Sequence, residues 1–127
     1  MLVLDSGAVT FLAQPRSSSV ARIRQIRSAG EWPPRVPTIV MVECLSGQAG
    51  PDANANRLLK GCELAREISP MLARRAAALR SRAGRGSAVD AIVVAAAEPG
   101  GMVLTGDPGD LRALAEHARE VTIRTIR

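Results

Sequence analysis

A chain of 127 residues with a formal net charge of +5 suffices for one domain around a single core and is too short for two. Its apolar residues are almost all aliphatic, and no run approaches the ~20 residues of a membrane-spanning helix. Cys44 and Cys62 have neither metal-type nor redox spacing, so one cytoplasmic domain, residues 1–127, is expected.

The N-terminal MLVLDSGAVTFLAQ lacks a basic start and carries Asp5 in its middle, unlike a secretory signal. Met1 to Leu4 reads as a short strand ending in Asp5-Ser6-Gly7, with a helical turn or two over Ala8 to Ala13. Beyond Pro15, Ser17 to Ser19 suit the cap of a helix through about Ala29, with Val20, Ile23 and Ile26 as its apolar stripe. Trp32 is expected to pack against a helix. Val36-Pro37-Thr38 reads as a second strand and Ile39 to Leu45 as a helix carrying Glu43. A third helical stretch runs from Pro51 or Asp52 to about Cys62, and Glu67-Ile68-Ser69 is a weak strand candidate. Pro70 is well placed as the first residue of a helix capped by Ser69 and stopped by Gly84 and Gly86. After a helix over Ala91 to Ala97 and a strand Met102 to Thr105 come a helix Leu111 to His117 and a last strand Val121 to Ile126. Strands alternate with helices throughout, which predicts an α/β domain with a mostly parallel central sheet flanked by helices.

The stretch Ser87 to Leu111 holds Asp90, Asp107 and Asp110 in an otherwise apolar or small-residue run. Asp5 and Asp107 each follow an apolar strand, and Glu43 and Asp90 sit on helices in apolar surroundings. Each has an ordinary explanation: Asp5 and Asp107 as helix caps, Asp90 and Asp110 as first-turn acids, Glu43 as the partner of an Arg. Together, strand ends and helix starts on one side of a parallel sheet would bring the acids close with no matching set of cations in the same segments. Ionised carboxylates so placed call for a bound positive charge, and an oxygen-only ligand set selects Mg²⁺ or Mn²⁺. His117 stands alone near a helix end, no Gly-rich phosphate loop with its Lys occurs, and neither Cys has a paired His, so other site chemistries fit poorly. The basic residues are sixteen Arg and Lys60 alone. Arg suits phosphate contacts, although codon bias explains the Arg-over-Lys excess as well.

Strand-Asp5-Ser6, Glu43 on the helix after Val36-Pro37-Thr38, Val89-Asp90-Ala91 opening an apolar helix, and Leu104-Thr105-Gly106-Asp107-Pro108-Gly109-Asp110-Leu111 together resemble a PIN domain. The likeness covers essentially the whole chain, at the length of the VapC toxins of bacterial toxin–antitoxin pairs. It implies a three-layer α/β/α fold and a metal-dependent endoribonuclease. It further implies that Asp5, Glu43, Asp90 and Asp107 hold Mg²⁺ or Mn²⁺, with Asp110 a further acid near the metal and Ser6 and Thr105 hydroxyls beside the acids. Gly106 departs from the pattern, where a polar residue is more usual. RNA as substrate, a homodimer and a cognate VapB-type antitoxin that blocks the site are implied as well. Arg22, Arg24 and Arg27, or the group from Arg74 to Arg85, are candidates to steer the RNA backbone. Almost without aromatics, the chain is not expected to recognise RNA mainly by base stacking.

Alternatives differ in their residues. A catalytically silent PIN-like binding module would not need all four acids. A receiver would want a Lys near its last strands, and an aspartyl phosphatase a second acid where Gly7 stands. A structure-specific DNA nuclease would need more chain for its clamps.

Overall fold

The computed structural model describes all residues, 1–127. β1 (Leu2–Leu4) and β4 (Met102–Thr105) lie at the centre of the sheet because they are its most continuously apolar runs. Leu2, Val3, Leu4, Val103 and Leu104 are all buried, as befits parallel strands covered on both faces. Each such side chain contributes about 1.5–3 kcal/mol by leaving water. The two strands pair with Leu2 beside Met102, Val3 beside Val103 and Leu4 beside Leu104. β2 (Arg35–Pro37) and β3 (Glu63–Ala65) extend one side and β5 (Thr122–Thr125) the other, giving the order β3-β2-β1-β4-β5, all parallel.

The chain winds outward from β1 to β3, then returns to β4 and winds the other way. Right-handed crossovers then put α1 (Ser6–Ala13), α2 (Ser17–Ser28), α3 (Thr38–Cys44) and α4 (Ala53–Lys60) on one face. They put α5 (Pro70–Ala83), α6 (Ala88–Ala97) and α7 (Pro108–Ala115) on the other. The contacts agree: α1 packs on α2, α3 and α4, while α5, α6 and α7 pack on one another. The expected single α/β domain with helices on both faces is present, its sheet wholly parallel.

Several elements differ from the sequence expectation. The third strand is Glu63–Ala65, not Glu67-Ile68-Ser69. α4 ends at Lys60, which frees Glu63 to Ala65 to pair with Arg35 to Pro37, and Glu63 on this exposed edge accepts from Arg35 at 2.7 Å. Ser69 instead caps α5, accepting from the Leu72 N–H at 3.1 Å. The serines Ser17 to Ser19 do not cap α2 but form its first turn: Arg16 holds the N-cap position without a side-chain bond. Buried Ser19 donates to the Phe11 carbonyl at 2.6 Å, stitching α2 to α1. The α2 stripe is correspondingly partial, with Ile26 buried and Val20 exposed. α6 begins at Ala88 behind the cap Ser87 and α7 at Pro108, each three residues earlier than expected. Trp32 packs on α2 as expected, with the Arg27 guanidinium 4.3 Å from its ring centroid. Burial pushes the Cys62 thiol up to about 11, which leaves it protonated and unreactive at neutral pH.

At the N-terminal edge of β4, Arg75 of α5 forks onto Glu98, with Nε–Oε1 2.8 Å and Nη2–Oε2 2.7 Å. Glu98 also accepts from the Arg119 N–H at 2.7 Å, and Arg75 donates to the His117 carbonyl at 3.2 Å. This cluster ties α5, the end of α6 and the segment before β5 together. No helix is long and apolar enough to cross a membrane.

Candidate metal-binding acidic site

The winding direction reverses between β1 and β4, so the loops at their C-terminal ends diverge to opposite faces and leave a crevice. In open α/β sheets this switch point is where ligands bind. Asp5 follows β1 and Asp107 follows β4, so both acids sit at its mouth.

Asp5 is the most constrained of the acids. Its N–H continues the sheet by donating to the Leu104 carbonyl at 3.3 Å. One carboxylate oxygen caps α1, accepting from the Ala8 N–H at 2.9 Å. The other accepts from the hydroxyl of buried Thr105, and Thr105 Oγ1 in turn accepts from the Asp107 N–H at 3.0 Å. One hydroxyl thus couples the ends of both central strands. Burial raises the Asp5 carboxyl above its ordinary value, and repulsion from Asp90 and Glu43 adds to it, against the hydrogen bonds from Thr105 and Ala8 that pull it down. Asp90 and Glu43 therefore lie close enough to Asp5 for their charges to be felt.

Asp90 is the third residue of α6. Its N–H donates to Ser87 Oγ at 3.0 Å, and its Oδ2 accepts from the Ser87 N–H at 3.3 Å, a reciprocal cap. The first-turn role expected of it is present and engages one of its two oxygens. Glu43 was expected among core neighbours. It is exposed instead, because α3 buries Val40 on its inner side and turns Val42 and Glu43 to solvent. It needs no Arg partner there. Asp107 stands at the N-cap of α7, yet its side chain makes no capping bond, so capping does not account for its carboxylate. Asp110 is engaged elsewhere, accepting from Arg85 Nε at 2.6 Å.

Asp5, Glu43, Asp90 and Asp107 have no ion-pair partner; the four ion pairs of the fold are Arg35–Glu63, Arg75–Glu98, Arg85–Asp110 and Arg124–Glu31. No three of the acids approach closely enough to form a ready-made set of ligands for one ion. Beside Glu43 opens a concavity of about 600 Å³, whose lining includes Ser6, Gly7, Gly106, Arg16 and Arg127 but not Asp5, Asp90 or Asp107. Sequence reasoning missed Arg16 and Arg127. Arg16 had one usable signal, its place directly after Pro15, where the chain must turn back over the end of α1.

Replacing Thr105 by Val removes the hydroxyl and nearly conserves volume. Asp5 then loses a donor and the Asp107 N–H an acceptor, for about 1–3 kcal/mol in a buried setting. The expected result is a melting temperature lower by several degrees, together with weaker Mg²⁺ protection against heat unfolding, both read by circular dichroism.

No family model and no characterised protein sequence matches the chain. Solved structures match its fold. A chain of VapBC2 from Rickettsia felis, bound to a DNA fragment from its promoter, superposes with a TM-score of 0.70 at 10% identity, over 98% of this chain and 97% of that one. A chain of FitAB bound to an IR36 DNA fragment gives 0.68 at 18% identity, over 99% and 95%. A chain of FitAcB from Neisseria gonorrhoeae gives 0.66 at 18% identity, over 99% and 98%. At 10–18% identity these likenesses show the fold alone, the α/β/α arrangement that the resemblance to a PIN domain implies.

Proposed function

We propose that the protein is a toxin-type endoribonuclease that hydrolyses RNA phosphodiester bonds with Mg²⁺ or Mn²⁺ held by Asp5, Glu43, Asp90 and Asp107, and that a VapB-type antitoxin silences it. The observation that carries this reading is Asp5: a half-buried carboxylate, repelled by Asp90 and Glu43, with no cation paired to any of the three. Such an arrangement is costly unless a cation joins it.

The donors fit the ion. All are carboxylate oxygens, the ligands of a hard cation. Mg²⁺ is usually held by one or two carboxylates, with waters and substrate phosphates completing its shell, so it does not require the three-ligand cluster that this fold lacks. The bound ion would supply a hydroxide at neutral pH and neutralise charge on the phosphoryl oxygens. The chain does the rest. Ala8 N–H and Thr105 hold Asp5 rigidly, Glu43 and Asp107 are exposed and carry no ion-pair partner, and Ser6 borders the groove where substrate would lie. Asp110 joins the set only once Arg85 releases it. The complexes formed by the matched structures support an antitoxin partner, and a homodimer belongs to the same proposal.

A second reading, a catalytically silent nucleic-acid-binding module, draws on the separation of the acids and on the engagement of Asp110 by Arg85. Purified protein incubated with total RNA separates the two. Discrete fragments with Mg²⁺ or Mn²⁺, none with excess chelator and none from Asp90→Asn, are expected. Intact but bound RNA with either metal, from folded protein free of antitoxin, would replace the nuclease by the binding module.

A further inference from the structure

We infer that a continuous basic furrow, leading from Glu43 along α2 and β5, is the track for one arm of a single-stranded RNA, held through its phosphates by Arg16, Arg22 and Arg127. This rests on the nuclease reading and names the path its substrate takes. The concavity beside Glu43 shares Phe11, Arg16, Ile126 and Arg127 with a second of about 660 Å³, which adds Arg22 and Gln25. A third, of about 490 Å³, shares Arg22, Gln25 and Arg127 and ends at Arg124 and Glu31. The three form one furrow that starts at Glu43 and runs away from it.

The charge along the furrow is one-sided. Beyond Glu43 its only acid is Glu31, which Arg124 already engages at 2.9 Å. The Arg16 and Arg127 side chains make no hydrogen bond or ion pair, and Arg22 spends one donor on the Thr125 carbonyl at 3.1 Å. Three guanidinium groups without side-chain counterions therefore line a path that begins at Glu43, one of the four acids. A phosphodiester chain needs this pattern: spaced cations along a groove, with the charge reversing where a bond is to be cut. A docking peptide would need apolar anchor pockets, and the furrow offers chiefly Phe11 and Ile126. On the other flank of the acids, Arg85 and Arg80 are committed to Asp110 and to the Gly86 carbonyl. The structure thus selects among the candidate arginines: Arg22 lines the track, Arg27 lies over Trp32, and Arg24 is outside the furrow. With one aromatic side chain along it, the track holds backbone and reads little sequence.

Binding of a short fluorescein-labelled single-stranded RNA of mixed sequence, followed by anisotropy in excess chelator, separates grip from cleavage. At a slope of about 0.7 per phosphate contact, the triple variant Arg16→Ala/Arg22→Ala/Arg127→Ala loses about 2 units of salt slope and roughly 100-fold affinity at about 0.1 M salt. Arg57→Ala/Arg66→Ala, away from the furrow, changes affinity far less, and Arg22→Lys keeps the slope. Thermal melts establish that each variant is folded, and Arg16→Ala/Arg127→Ala touches no internal bond should the triple variant not fold. Wild-type affinity and slope in folded furrow variants would overturn the track while leaving the nuclease reading intact. The same would follow if those variants kept RNA but lost the antitoxin, which would make the furrow a protein site. Failure of the wild type to bind RNA in chelator while it still cleaves RNA with Mg²⁺ would overturn the track alone, and failure both to bind and to cleave would overturn both readings.

Discussion

Asp5→Asn is expected to abolish RNA cleavage and, at the same time, to raise the melting temperature. The amide oxygen still accepts from the Ala8 N–H, so the cap of α1 survives, and the amide NH₂ can donate to Thr105 Oγ1 in place of the bond that Thr105 donates to the carboxylate. What disappears is a negative charge that burial, Asp90 and Glu43 all disfavour. Relieving it contributes about 1 kcal/mol of stability, or about 3–6 °C in a domain of this size. Under the proposed nuclease function, loss of this charge should lower cleavage by about 10³-fold or more. Asp5→Ala serves as contrast, because it removes the cap as well and costs about 1 kcal/mol. A third readout is direct: Mg²⁺ raises the melting temperature of the wild type and leaves that of Asp5→Asn unchanged. An Asn variant that cleaves RNA with ordinary metal dependence would reduce Asp5 to a helix cap.

Glu98→Ala is expected to have the reverse profile, with a large loss of stability and little effect on cleavage at low temperature. Its carboxylate is 7% exposed and receives the Arg75 fork and the Arg119 N–H. Removing it leaves the largely buried Arg75 guanidinium with the His117 carbonyl alone, for about 2–4 kcal/mol and about 10 °C in melting temperature. Glu98 precedes β4 at the edge of the sheet opposite Asp107, so the acidic crevice should keep its geometry. The pair also carries a pH signature. The Arg75 guanidinium, helped by the Arg119 N–H, holds the Glu98 carboxyl below its ordinary value of 4.5. A depressed carboxyl stabilises the fold fully above that ordinary value, and the contribution is lost progressively as pH falls from there through the lowered one. Urea unfolding of wild type and Glu98→Gln should therefore differ by a constant amount near neutrality, with the gap closing on acidification. A gap unchanged in acid would mean that the Glu98 charge contributes nothing.

The helix caps and the central strands were legible because their causes are local. Ser69-Pro70 before an Ala- and Leu-rich run, and Gly84 after it, bound α5 at both ends, and MVLT between Gly101 and Gly106 has no other comfortable conformation than a buried strand. The third strand was not legible. Glu63–Ala65 is an edge strand with half-exposed side chains, and it forms only because Arg35 to Pro37 lies alongside. α2 misled in a similar way: three consecutive serines satisfy a capping rule, but buried Ser19 is used to reach the Phe11 carbonyl.

For the candidate site, the sequence context of each acid was legible: Asp5 and Asp107 follow strands, Asp90 lies in the first turn of α6, and Glu43 lies in the last turn of α3. Their division of labour was not. Asp5 and Asp107 looked alike as helix caps, yet Asp5 caps its helix while facing two other acids, and Asp107 does not cap at all. Asp110 and Arg85 lie 25 positions apart and meet only in the fold. The alternation of strands and helices, read alone, determined an α/β domain with acids at strand ends, because propensity, capping and hydrophobic period act over a few residues. Which acids feel one another, which arginines remain without counterions, and where the furrow runs were decided by the strand order β3-β2-β1-β4-β5. Those properties depend on distances between side chains far apart in the chain, and only the packed sheet sets them.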